Sequence, residues 1–191
     1  MRNFSLIFII IIVFKFNLVA QNTTEGIAGQ DYSKGFTEFV IKEYLITELL
    51  NIEEDNLIGI EIDAITASKY GELTTVVYNC EQLNKKGLVF VFWSDTWNEY
   101  NTHFKGYAFR NIEYNKAITL FNKLDSVIAN KKQILKKGYT WNAIYRWEDI
   151  YFVFYNEGMA NKIRVFWNGF DSDWNQSNLK TTGRRFVKSF K

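Results

Sequence analysis

The chain is predicted to fold as α+β, with a mainly antiparallel sheet of about seven strands packed with two amphipathic helices. Three observations lead there. Strand-like runs follow one another across hairpin-length turns, without crossover helices between them. Two segments carry apolar residues at helical spacing. Finally, Ile150–Tyr155 is apolar on both alternating faces, the pattern of a strand inside a sheet covered on both sides.

Taken in order, residues 1–20 have the form of a secretory signal peptide. Arg2 supplies a positive start, and Phe4–Phe14 is an apolar run about half the ~20 residues needed to span a bilayer. Lys15 ends the run, and Ala20 provides the small residue before a cut. Residues 21–35 are polar and contain glycine, as expected of a flexible leader, so 36–191 is expected to be a single α+β domain. The expected address is therefore secreted or periplasmic, in a bacterial envelope. The lone Cys80 suits that setting, since a secreted eukaryotic domain more often carries disulfides. It is read as a small buried hydrophobe on a strand.

Phe36, Phe39, Val40, Leu49 and Leu50, with Tyr44 and Ile46 between, form the first helical stripe, which Asn51 is placed to close. From Leu57 the period falls to two: Ile58, Ile60 and Ile62 alternate with Gly59, Glu61 and Asp63. Leu73–Tyr78 pairs back as a hairpin, and Asn84–Gly87 is the next turn. Leu88–Trp93 follows as a strand, Ser94–Thr102 as a polar loop and Phe104–Arg110 as a fourth strand. Asn111 is read as the cap of a second helix whose stripe runs through Tyr114, Ile118, Phe121, Leu124, Ile128 and Leu135, ending at Gly138. Trp141–Trp147, Ile150–Tyr155 and Ile163–Trp167 complete the strands, with Gly158 free to turn at positive φ. The tail from Asn178 is a poor helix former because of Thr181, Thr182 and Gly183.

Charge excludes one class of function. Of 23 basic and 21 acidic residues, Arg2 and Lys15 lie in the signal segment, which leaves 21 against 21. A neutral mature chain is a poor start for a nucleic-acid binder, so no nucleic acid is expected. Membrane contact is expected only through the signal peptide before cleavage. His103 is the single histidine, too few donors for a zinc site of the usual type. Asp171-Ser172-Asp173-Trp174-Asn175 opens like a calcium loop, but Gln176 and Thr182 stand where glycine and glutamate are required. No cofactor or metal is expected.

The candidate ligand residues lie in two polar stretches that follow similar strand ends. Val91-Phe92-Trp93 leads to Trp97, and Val165-Phe166-Trp167 leads to Trp174. Trp97 and Tyr100 stand with Asp95; Trp174 stands with Asp171, Asp173 and Asn175. An indole among carboxylates and amides can stack on a sugar ring while the polar groups hold its hydroxyls, and the same chemistry suits a protein interface. The expected function is thus a non-catalytic binding domain for a glycan or an envelope-protein partner. A secreted hydrolase with a carboxylate pair is the enzyme alternative. A structural component of an envelope assembly, with both indoles folded into the core, is the third.

Overall fold

The computed structural model describes residues 34–68, 71–97, 102–136, 140–158 and 160–191. Residues 1–33, on which the expected signal peptide and most of the expected leader fall, lie outside them, as does Gly138. The order is α1 (Lys34–Tyr44), a π-helical turn (Leu45–Leu50), β1 (Glu61–Ala67), β2 (Leu73–Cys80), β3 (Lys85–Trp97) and β4 (His103–Glu113). Then come α2 (Tyr114–Asn130), a short α3 (Lys132–Leu135), β5 (Ala143–Trp147), β6 (Ile150–Glu157), β7 (Ala160–Trp167), β8 (Phe170–Asp173) and α4 (Gln176–Lys188). The protein is α+β, and its eight described strands form two antiparallel sheets, β1-β2-β3-β4 and β5-β6-β7-β8.

Alternation along the strands decides what each sheet buries. In β3, Leu88, Phe90 and Phe92 face inward and join Phe152, Phe154 and Val165 of the second sheet. The stripe of α2, with Leu120, Phe121 and Leu124, packs into the same core, as do Leu179 and Phe186 of α4. The opposite residues of β3, Val89 and Val91, meet Val76 of β2 and the Ile41–Leu45–Leu50 edge of the first helix in a second core. The first sheet is therefore covered on both faces. Cys80 is buried in that second core.

Several elements depart from the sequence expectations. The core edge of the first helix is Thr37, Ile41 and Leu45 at intervals of four, so Phe39 and Ile46 face outward. Asn51 does close the helix, in the left-handed conformation. Gly87 is a strand residue, because the turn is completed by Asn84 at φ 50°. Asn111 belongs to β4, and α2 begins three residues later. Ile150–Tyr155 is wetted on one side: Tyr151 is exposed, while Ile150, Phe152 and Phe154 are buried.

The tail also differs, since α4 is a full helix. Asn175 caps it by accepting a hydrogen bond from the Asn178 N–H at 2.7 Å. Thr182 is buried and its hydroxyl bonds the Asn178 carbonyl at 2.8 Å. Gly183 lets the helix approach Phe121, whose ring carbons would lie 3.2 Å from a Cβ there. Packing overrides the poor intrinsic propensity.

One polar joint ties the two sheets together. Arg110 of β4 reaches the β5–β6 turn, where its guanidinium donates to Asp149 at 2.9 Å and to Glu148 at 2.7 Å. The Trp167 indole N–H donates to the other Asp149 oxygen at 2.8 Å. Burial works against ionisation of Asp149. The Trp167 N–H and then Arg110 outweigh it, and the carboxyl is held below its ordinary value.

Candidate functional site

The outer face of the first sheet carries an aromatic row beyond the end of the α1 cover. Trp93 of β3 stands opposite Tyr107 of β4, with ring centroids 4.5 Å apart. Phe109, two residues along β4 and so on the same face, lies parallel to Tyr107 at 6.2 Å. Tyr44, at the end of α1, stacks on Phe109 at 4.7 Å. The four rings form one continuous strip, each half-buried. Trp93 faces outward because its neighbour Phe92 faces in.

The strip runs out into charged groups. Asp95 is two residues beyond Trp93 on the same face, opposite Lys105, and its carboxylate lies 3.6 Å from the His103 imidazole. Both side chains of that pair are half-exposed. Of the loop expected from Ser94 to Thr102, Ser94–Trp97 is strand, because β3 continues to Trp97; β4 begins at His103, and residues 98–101 lie outside the described residues. Thr and aromatic residues there suit a strand as well as they suit a loop. Trp97 is placed by its backbone opposite His103, while its side chain lies outside the described residues, as does all of Tyr100.

The second group of expected ligands divides. Asp171 and Asp173 do share a face, on β8, so this polar stretch is in part a strand. Arg164 of β7 lies between them, paired to Asp171 and 3.4 Å from Asp173, and the Tyr155 hydroxyl donates to Asp173 at 3.4 Å. Asn175 is committed to the cap of α4. Trp174 corrects the expectation of an exposed indole. It is 1% exposed, set edge-on to Phe90 at 5.5 Å and beside Phe152 at 6.5 Å. Ser172 and Trp174 alternate with the two aspartates and so face the core, which places the indole between the sheets.

Glu72, missed in the sequence, links the two groups. It leads into β2 opposite Trp93, whose N–H donates to the Glu72 carbonyl at 2.8 Å. Burial pushes its carboxyl above the ordinary value, and Asp173 and Asp171 push it further against the pull of Arg164 and Lys105. Its position just before β2 carries no spacing signal in the sequence. The site is thus a hydrophobic strip ending in carboxylates, an arginine and a lysine. It provides both donors and acceptors around a flat apolar surface.

Cys80 and His103 stand at opposite ends of the β3 ladder, against Lys85 and Trp97 respectively, so they do not form a nucleophile and base. Among the described residues no group of three or more His, Cys, Asp or Glu side chains is placed to hold a metal ion. Among them, too, no helix is long and apolar enough to cross a membrane. No protein family, curated protein or solved structure matches the chain.

Proposed function

We propose that this protein is an exported, non-catalytic binding domain that holds a glycan on the outer face of its first sheet. The observation that carries this reading is the Trp93–Tyr107–Phe109–Tyr44 strip running into Asp95, Lys105 and Glu72. A pyranose ring has an apolar C–H face that lies on an indole or phenol ring, and hydroxyls at its edge that require acceptors and donors. A strip of several rings suits a chain of sugars better than a single one. The exported address rests on residues 1–20.

The test is intrinsic tryptophan fluorescence of the purified protein titrated with soluble peptidoglycan fragments, chitin oligosaccharides and β-glucan oligosaccharides. Trp93→Ala is expected to abolish the binding of whichever glycan is held, while Trp141→Phe leaves it intact. Binding that survives Trp93→Ala, or none across the panel, refutes the assignment.

A second reading, a carboxylate-pair hydrolase, is favoured by Glu72. A carboxyl raised by burial, and further by Asp173 and Asp171, is suited to act as a general acid beside a second carboxylate. Cleavage of a bound glycan that disappears in Glu72→Gln while binding persists would establish it.

A further inference from the structure

A groove of about 1300 Å³ runs between α2 and α4 and shares no residue with the aromatic strip. Lys131, the residue that follows α2, lies in its wall. This side chain is 3% exposed, and its ammonium has no hydrogen-bond partner among the described residues. The ammonium sits over Phe154, 5.4 Å from the ring centroid. An aromatic face replaces only part of the hydration that a buried ammonium gives up. Lysines this deeply buried are ordinarily paired. Burial, and then the neighbouring charge of Lys132, lower the Lys131 pKa from its ordinary value.

The rest of the lining is asymmetric in charge. Lys132, Lys180 and Arg184 stand on the groove with Lys131, against the single carboxylate of Asp125. Between them Ile118 and Val187, with the edges of Phe121 and Ile128, provide an apolar floor. A small inorganic anion would leave that floor wet, and a neutral apolar ligand would leave the ammonium without an acceptor.

The geometry points to a binding site for a single-chain anionic amphiphile, with its carboxylate or other oxyanion head paired to Lys131 and its hydrocarbon chain along the floor. The flexible four-carbon stem of Lys131 brings the ammonium from its place over Phe154 to the groove side. Lys132, Lys180 and Arg184 draw the head towards it and, being solvated, contribute less to holding it.

Calorimetric titration with octanoate, acetate and octyl glucoside separates head from chain. Octanoate is expected to bind at least about tenfold tighter than either, because each of the others lacks one half of the match. Lys131→Met, an apolar side chain of similar length, is expected to weaken octanoate about tenfold or more. Lys132→Met is expected to change it only about twofold. Unchanged octanoate affinity in Lys131→Met overturns the site, as does octyl glucoside binding equal to octanoate, or no octanoate binding at all. Should the Met variant misfold, the Lys131 side-chain resonances of the wild type decide. A shift on adding octanoate supports the pairing, and its absence overturns it.

Discussion

Trp174 offers the sharpest check on how the two sheets meet, because two effects of known sign oppose each other there. Its indole fills the space between Phe90 and Phe152, and its Nε1 has no hydrogen-bond partner among the described residues. Trp174→Phe removes two ring carbons, a loss of about 1.6 kcal/mol at ~0.8 kcal/mol per buried carbon. It also removes a buried, unpaired N–H, which returns about 1–3 kcal/mol. The sum lies within about 1–1.5 kcal/mol of zero, of either sign. Trp174→Ala has no such return. It forfeits the ring, its edge contact with Phe90 and the filled volume, and is expected to cost about 3–5 kcal/mol. Urea unfolding followed by far-ultraviolet circular dichroism measures both variants without relying on tryptophan emission. The emission difference between wild type and Trp174→Phe should itself be blue-shifted and resistant to acrylamide. A Phe variant as costly as the Ala variant would mean that the N–H is satisfied. A red-shifted, readily quenched difference would mean that the indole is exposed and that β8 is misplaced.

Four further outcomes follow from local geometry. Arg110→Gln removes the fork that joins the sheets and is expected to cost about 1–2 kcal/mol, discounted for partial exposure, as a lower urea midpoint at unchanged slope. Asp149 has a folded pKa below its ordinary 3.8, so its stabilisation is complete above that value and is lost as pH falls through the lower folded one. Asp149→Asn should therefore flatten the acid limb of stability against pH, and an unchanged limb would refute the joint. Lys131 has a folded pKa below its ordinary 10.5, so the unfolded chain takes up its proton first as pH falls from that value, and stability drops with it. Lys131→Met should remove this alkaline slope and stabilise the protein by about 1–2 kcal/mol at neutral pH, raising Tm by a few degrees. Gly87→Ala places a Cβ 2.5 Å from the Ile112 carbonyl oxygen and 2.9 Å from the Tyr78 hydroxyl, so a loss of about 2 kcal/mol or more is expected on thermal unfolding.

The sequence made the class of fold legible because period and turn chemistry are local. The stripe of α2, the alternation through Ile62 and the positive-φ turn at Gly158 are each contained in a few residues. What stayed hidden depends on partners distant in the chain. The α4 helix exists because Thr182 and Gly183 meet β1 and Phe121, contacts that no propensity scale contains. Asp95 was found because a carboxylate among aromatics is conspicuous in sequence. Glu72 was not, since its character comes from Asp171 and Asp173, a hundred residues away.

The repeated Val-Phe-Trp shows most directly why the site was only half visible. In β3 the tripeptide puts Phe92 into the core and turns Trp93 outward to Tyr107. In β7 the same three residues put Val165 and Trp167 inward, where Trp167 stacks on Phe92 at 5.8 Å, and leave Phe166 exposed. The two copies therefore meet the core in opposite phase, which a duplicated strand-loop unit would not do. A shift of one residue in a strand exchanges its faces, so identical letters can carry opposite roles. Here the phase is set by neighbours: Phe90 and Phe92 hold β3 to the shared core, whereas Ile163 and Val165 hold β7. The outward tryptophan of the first copy builds the ligand face, and the inward one of the second anchors Asp149 through its N–H. Trp93→Ala should accordingly affect binding before stability, and Trp167→Phe stability before binding. A reversed order would show that the phases have been assigned the wrong way round.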